Sequence, residues 1–146
     1  MSKRTPARRK QPLELEPFAD PAVADAFAAF DDGMRPRLLE LRQLIFDTAR
    51  RVKSVGPLSE SLKWGQPSYA PKAPRTGSPV RLGVADGSPA LLFHCQTTLV
   101  VSFRQRHGKA LRFEGNRAML LEPSGRLPRK ALVDCITAAL TYHLQR

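Results

Sequence analysis

Cysteine, tryptophan and long apolar runs are all scarce in this sequence of 146 residues. Its two cysteines, Cys95 and Cys135, are forty positions apart, which fits neither a disulfide framework nor a zinc-binding spacing. The longest unbroken apolar run is residues 26–30, whereas a membrane-spanning helix needs about 18 residues. The basic start leads into polar residues rather than an apolar segment, so we expect no secretory signal. These absences predict a cytoplasmic protein without a membrane segment.

Acidic residues are scarce outside one segment, and the charge of the chain is therefore uneven. The sequence has 24 Lys and Arg against 13 Asp and Glu, which gives a net charge of +11. Residues 1–10 carry +5, residues 11–34 carry −6, and residues 35–146 carry +12. A basic body favours polyanions or acidic partners. The hydrophobic content of 42% is sufficient for a sizeable core, which argues against a wholly disordered chain.

The N-terminal third predicts an arm followed by a domain that begins with a helix. Residues 1–16 are charged, interrupted by proline and without apolar periodicity, which is typical of a flexible basic arm. Residues 17–146 are then expected to form one domain. Asp20 and Pro21 are typical of a helix start, and Gly33 is expected to end that first helix.

Apolar periodicity predicts two further long helices. Pro36 opens one, the Gly56-Pro57 pair stops it, and charged residues such as Arg42 fall outside its apolar stripe. That buried stripe consists of Leu38, Leu41, Leu44, Ile45, Ala49 and Val52. A last helix begins at Pro128 and also has an apolar ridge. The ridge consists of Leu132, Ile136, Leu140 and Leu144.

The sequence between these helices has the short apolar segments and turn residues of a β-sheet. Gly65 and Pro67 are the expected turn residues of the first extended segments, and the proline-rich residues 70–79 are expected to form an exposed loop. Strands at 80–85 and 90–94 flank an Asp-Gly hairpin sequence. A short helix from Thr97 or Thr98 to Gly108 and strands at 111–113 and 118–121 follow. This order predicts an α+β fold, with a mostly antiparallel sheet packed against two N-terminal helices and one C-terminal helix.

The segment ESLKWGQPSY at residues 60–69 has the most specific pattern in the chain. Together with VRLGVA at 80–85, LLFHCQTTLV at 91–100, LRFEGNRAMLL at 111–121 and ITAALTYH at 136–143, it resembles the YdhG-like domain family of small bacterial proteins. The resemblance covers all but the basic arm. It implies an α+β domain with an antiparallel sheet against helices and no established catalytic activity. Some relatives are described as frataxin-like iron chaperones, so the resemblance adds an iron-chaperone role as an alternative.

The sequence offers few metal ligands in a useful arrangement. Loosely held Fe²⁺ favours carboxylates gathered on one surface, but the acids of residues 14–32 do not share one helix face. His94 and Cys95 are adjacent, so on a strand they point to opposite faces. Cys135 lies beside the apolar ridge of the last helix, which favours a buried thiol. We therefore predict no metal site and no cofactor.

The tryptophan-containing segment has two interpretations, a binding cleft and an architectural turn. In a cleft, Trp64 and Tyr69 supply aromatic walls, Glu60 and Lys63 supply opposite charges, and Gly65 lets a ligand approach the backbone. In an architectural turn, the aromatic residues are half-buried anchors and Glu60 and Lys63 form a local ion pair. We expect the two charged residues beside the indole. A cleft predicts a partly accessible Trp64 and an architectural turn predicts a buried one, and we favour an intermediate result, with one indole edge packed and the other exposed beside Lys63.

Two basic clusters suggest anionic partners. Arg126, Arg129 and Lys130 stand at the start of the last helix, where the macrodipole is already positive, so an anion or an acidic group would stabilise them. A second run is interleaved with aromatic residues. It comprises Arg104, Arg106, His107, Lys109, Arg112 and Arg117, together with Phe103 and Phe113. Single-stranded nucleic acid binds such combinations, but a solvated basic surface over core phenylalanines explains them equally.

Taken together, these patterns favour a non-enzymatic binding or chaperone-like module for an unidentified small molecule or acidic partner. One alternative is a small enzyme that uses Glu60 as a general acid or base beside Lys63 in an aromatic-lined pocket. Another is a weakly nucleic-acid-associated protein, and the third is the frataxin-like iron chaperone. No pattern predicts the oligomeric state.

Nucleic-acid binding by the basic arm is expected to be weak and independent of sequence, because counterion release dominates such binding. Deleting residues 1–10 removes five positive charges, so the affinity for a random-sequence oligonucleotide should fall and its salt dependence should flatten. Fluorescence anisotropy at several NaCl concentrations measures both quantities. Tight binding near physiological salt with a preference for one sequence would contradict this prediction.

Overall fold

In the computed structural model, which describes residues 15–94 and 97–144, the chain forms four α-helices and six β-strands. In chain order they are α1 (Pro21–Ala28), α2 (Arg35–Arg51), β1 (Leu58–Lys63), β2 (Gln66–Pro71), β3 (Val80–Ala85), β4 (Ser88–Phe93), α3 (Leu99–His107), β5 (Arg112–Glu114), β6 (Ala118–Leu120) and α4 (Arg129–Leu140). A short 3₁₀ turn follows at Tyr142–Leu144. The predicted α+β fold is confirmed. None of the described helices has the length and apolar character that a bilayer crossing requires.

The strands form one sheet in the order β1-β2-β3-β4-β6-β5, and every neighbouring pair is antiparallel. Turns of two residues, Trp64-Gly65 and Asp86-Gly87, close the first two hairpins. All four turn residues have positive φ, at 56° and 76° in the first turn and 51° and 71° in the second. This is the backbone of a type I′ turn, which matches the twist of the flanking strands.

At the starts of α1 and α3, polar side chains accept hydrogen bonds from backbone N–H groups of the first helical turn. Asp20 Oδ1 accepts a hydrogen bond from the backbone N–H of Ala22 at 2.9 Å, at the start of α1. Thr97 Oγ1 accepts a hydrogen bond from the N–H of Leu99 at 3.3 Å, at the start of α3.

Helix α1 ends at Ala28, five residues before the predicted end at Gly33. The guanidinium group of Arg35 donates hydrogen bonds to the carbonyl oxygens of Phe27, Ala28 and Phe30 at 3.0, 3.1 and 2.5 Å. In a longer helix, these carbonyls would accept hydrogen bonds from backbone N–H groups. Here the Arg35 side chain donates those hydrogen bonds instead.

The main hydrophobic core lies between one face of the sheet and the helices. Its largest fully buried side chains include Phe27, Leu38, Leu41, Ile45, Tyr69, Leu82, Leu91, Phe93, Phe103, Met119, Leu132 and Ile136. The apolar stripes predicted for α2 and α4 therefore face this core. Leu144 is an exception at 49% exposure, because α4 ends at Leu140 and the chain leaves the helical path.

Two loop predictions were wrong. Pro67 is a buried residue of β2, where the ladder to β3 includes only Ser68 and Tyr69, so its missing N–H breaks no bond to β3. The proline-rich segment 70–79 is exposed only in part, because Thr76 and Ser78 are buried against the end of α4. There Ser78 N–H donates to the Ala139 carbonyl at 2.8 Å, and His143 N–H donates to the Thr76 carbonyl at 3.0 Å.

The predicted flexible arm lies outside the described residues except for Leu15 and Glu16. Glu16 is held in place, because its N–H donates to Gln43 Oε1 at 2.7 Å and its carbonyl accepts from Arg42 at 2.6 Å. Helix α2 therefore fixes the chain from Glu16 onwards.

Gly77, in the segment before β3, lies against the backbone at the end of α4. A Cβ atom at Gly77 would overlap the backbone of Leu140, whereas a Cβ atom at Gly33 would meet no atom within 4 Å. We expect Gly77→Ala to lower the free energy of unfolding by about 1–3 kcal/mol through overpacking, and Gly33→Ala to have little effect. Urea denaturation followed by circular dichroism measures both. Equal stability of the two variants would show that this contact can move apart at no cost.

Candidate functional site

The sheet has a second face, on the side away from the helices. Because side chains alternate along a strand, the neighbours of the core residues point to this second face. Ala90 and Leu92 of β4 and Ala118 and Leu120 of β6 form a small apolar cluster there, separate from the main core. The second face is therefore apolar over β4 and β6, and polar and charged side chains lie over the neighbouring strands and turns.

A cleft of about 640 Å³ opens on this second face, and we call it the sheet cleft. Its charged lining residues are Lys63, Arg81 and Arg117, with His94 beside them, and Trp64 forms part of the wall. None of the described residues that line it is acidic. Clefts lined by charges of one sign concentrate the electrostatic potential, so the sheet cleft attracts anions.

Strand register brings these side chains together from four separate segments. Arg81 of β3 pairs with Ser68 of β2, and Lys63 pairs with Gln66 across the first hairpin. The carbonyl of Arg117 accepts a hydrogen bond from Phe93 N–H at 2.7 Å, which fixes Arg117 next to the end of β4. Arg81 was not among the predicted site residues. Its alternation with the core residues on either side of it in β3 was the signal that could have identified it.

Trp64 is far more exposed than predicted. Its side chain is 90% exposed, whereas we expected one indole edge to be packed. The residue stands at the first turn position, so it extends from the hairpin tip rather than lying on a strand. Both Trp64 and Gly65 adopt positive φ, a conformation that suits Gly65 and is unfavourable for a bulky residue.

Glu60 and Tyr69 lie on the other face of the sheet, toward the helices. Glu60 and Lys63 are three positions apart on β1, so their side chains point to opposite faces and the expected local ion pair does not form. Arg42 replaces Lys63 as the partner. Its Nε and Nη2 donate to the Glu60 carboxylate at 2.6 and 3.0 Å, and the Tyr69 hydroxyl donates to Glu60 at 2.7 Å.

Arg42 is buried, although the periodicity of α2 predicts it at the surface. Its side chain is 4% exposed and that of Glu60 is 9% exposed. The guanidinium lies 3.9 Å from the ring centroid of Phe18 and 5.1 Å from that of Phe46, which gives cation–π contacts. Burial raises the pKa of the Tyr69 phenol well above its ordinary value, and the hydrogen bond to the Glu60 carboxylate raises it further. This network is a structural connection between helices and sheet.

The predicted anion site at the start of α4 is divided in the structure. Arg126 lines a second cleft, of about 540 Å³, together with Lys109 and Arg112. Arg129 and Lys130 are exposed on the first turn of α4 and do not line that cleft. Glu122 also lines it and pairs with Arg112 at 2.9 Å, so the second cleft already contains a counter-charge.

Several members of the predicted basic run have partners within the domain. Asp134 accepts from Arg106 at 2.8 Å and contacts His107 at 2.6 Å. Arg104 donates to the carbonyl of Gly115 at 2.6 Å. Phe103 is fully buried and Phe113 packs partly against the core. The phenylalanines of this run therefore serve the core, as the alternative interpretation proposed.

Metal ligands do not gather in the part of the chain that the structure describes. There, no three His, Cys, Asp or Glu side chains lie close enough to hold one ion. Asp20 caps α1, and Asp32 pairs with Arg35 at 2.9 Å. Cys135 is fully buried, and burial raises the pKa of its thiol to about 12, while Cys95 lies outside the described residues.

Because the Arg42–Glu60 pair is buried, removing its carboxylate charge should destabilise the protein far more than removing the charge of an exposed carboxylate. Glu60→Gln leaves the buried Arg42 without a counter-charge, so we expect the free energy of unfolding to fall by about 3–5 kcal/mol. The matched control, Asp47→Asn, removes the more exposed partner of Arg50 and should cost less than about 1 kcal/mol. Urea denaturation of both variants at pH 7 makes the comparison. Similar small losses would show that the buried pair contributes little.

Comparisons with protein-family models, with curated proteins and with solved structures find no match for this chain.

Proposed function

We propose that this protein is a non-enzymatic binding module that takes an anionic ligand in the sheet cleft. The observation on which the proposal depends is the lining of the cleft, where Lys63, Arg81 and Arg117 converge with His94 and no described lining residue is acidic. The surrounding chain adds to the attraction, because residues 35–146 carry a net charge of +12.

A binding role is favoured over the enzymatic alternative by the position of Glu60. General acid–base catalysis needs a carboxyl group that can reach the substrate. The Glu60 carboxylate faces the helices and already accepts hydrogen bonds from Arg42 and Tyr69. Lys63 borders the sheet cleft on the opposite face. The two residues of the proposed catalytic pair therefore cannot act on one ligand.

We also propose that the domain is of the YdhG-like type, as the sequence resemblance implies. The antiparallel sheet against helices agrees with the fold expected from that resemblance. The frataxin-like alternative has less support, since Asp20 and Asp32 are engaged in a helix cap and an ion pair.

Inorganic tripolyphosphate, a small multivalent anion, tests the proposed site. We expect saturable binding by isothermal titration calorimetry, and Lys63→Gln and Arg117→Gln should each weaken it by about tenfold, since a hydrogen bond to a charged group contributes roughly 1.5–3 kcal/mol. Lys53→Gln is the matched control, because it removes the same charge from an exposed position just beyond α2.

The control variant should bind as the unmodified protein does. Equal weakening by Lys53→Gln and Lys63→Gln would indicate general charge attraction and no defined site. The absence of saturable binding would overturn the proposal.

A further inference from the structure

We infer that the ligand of the sheet cleft is single-stranded nucleic acid, an inference that rests on the proposed function. The proposed function requires only that the ligand is anionic. This inference requires in addition that the ligand carries a series of unpaired planar bases. Three features support it: the conformation of Trp64, its position among the cations, and the extension of the cleft across the sheet.

Trp64 occupies a backbone position that does not suit its side chain. The two hairpin turns have nearly the same geometry, and in the second the residues are Asp86-Gly87, a preferred type I′ sequence. In the first turn the corresponding position holds tryptophan, with φ at 56° and 90% of the side chain exposed. The indole therefore adds little to the core, and the backbone of Trp64 has a conformation that is unfavourable for a bulky residue. Such an outlier points to a role outside the fold.

The indole stands beside groups that bind phosphate. Trp64 shares the wall of the sheet cleft with Lys63 and Arg117. Stacking of a base on an aromatic side chain, next to cations that contact the backbone, is how sequence-tolerant binding of single strands is achieved. A base pair inside a duplex does not offer a free face to an indole on the protein surface. The combination therefore favours unpaired bases.

The cleft continues across the sheet beyond the size of one nucleotide. A smaller cleft of about 280 Å³ shares Gln66 and Arg117 with the sheet cleft and is lined further on by Leu92 and Ala118. From β1 to β6 there are four strand intervals, or about 19 Å. Stacked nucleotides advance by about 3.4 Å each, so this path has room for several. Glu114 lines the far end, which places the strongest phosphate attraction near Trp64.

Charge also argues against a second copy of this chain as the occupant. An exposed tryptophan is a common contact between proteins, but each copy has a net charge of +11. Two sheet clefts lined by Lys63, Arg81 and Arg117 would repel each other if they met face to face.

The experiment measures fluorescence anisotropy of fluorescein-labelled dT12 with the full chain at 150 mM NaCl. Trp64→Asn is the informative variant, because Asn-Gly is a preferred type I′ sequence and the hairpin should remain intact. We expect this variant to bind dT12 at least about fivefold more weakly, since stacking on one aromatic residue contributes that much or more. Trp64→Phe should retain part of the affinity. Leu144→Asn, which removes another exposed apolar side chain, should bind dT12 normally.

Tripolyphosphate separates this inference from the proposed function. Selective loss of dT12 affinity in Trp64→Asn, with tripolyphosphate binding unchanged, supports both. Unchanged dT12 affinity in that variant, with tripolyphosphate still dependent on Lys63 and Arg117, overturns the inference and leaves the anion-binding module standing. If neither tripolyphosphate nor dT12 binds, both the inference and the proposed function are overturned.

Three further measurements can overturn the inference alone. Thymidine monophosphate that binds as tightly as dT12 would identify a nucleotide site in place of a strand site. A duplex of equal length that binds as tightly as dT12 would exclude a requirement for unpaired bases. Sedimentation that shows a dimer abolished by Trp64→Asn, without an effect of that variant on dT12, would identify a second copy as the occupant.

Discussion

The buried ion pair between Arg42 and Glu60 is the interaction on which the arrangement of the two sheet faces depends. It joins helix α2 to strand β1 through a hydrogen bond of 2.6 Å from Arg42 Nε to the Glu60 carboxylate. Arg42 also donates to the carbonyl of Glu16, and the Tyr69 hydroxyl of β2 donates to the Glu60 carboxylate. With Glu60 held toward the helices, strand alternation directs Lys63 to the opposite face. A register shift of one residue in β1 would turn Lys63 toward the core and Glu60 toward the cleft, so this pair also keeps a carboxylate out of the cleft.

The fold was largely predictable from local patterns, because apolar periodicity and turn residues act over short distances. The stripe of α2 and the Asp86-Gly87 hairpin are both found where their residues predict them. The burial of Arg42 was not predictable in this way. Its partner lies 18 residues away in another element, and a charged residue outside an apolar stripe normally faces water. Only the packing of α2 on the sheet brings the two together.

The candidate site was predictable only in part. Lys63 and Trp64 border the cleft, as the cleft interpretation expects. Glu60, Gly65 and Tyr69 do not line it. Because the turn is confined to Trp64 and Gly65, Glu60 and Lys63 both lie on β1. Residues three positions apart on a strand point to opposite faces of the sheet, so their spacing indicates that they are separated. Arg81 and Arg117 come from strands and turns far along the chain, and their approach depends on sheet order, which short-range patterns do not specify.

The exposure of Trp64 has a spectroscopic consequence. It is the single tryptophan of the chain, and 90% of its side chain is already in contact with solvent in the folded protein. Its emission maximum should therefore change little when the protein unfolds, since the indole exchanges one aqueous environment for another. The tryptophan emission would then change little when the core unfolds, but it would change when a ligand occupies the cleft beside the indole. The chain thus contains a built-in reporter of binding that is almost independent of folding.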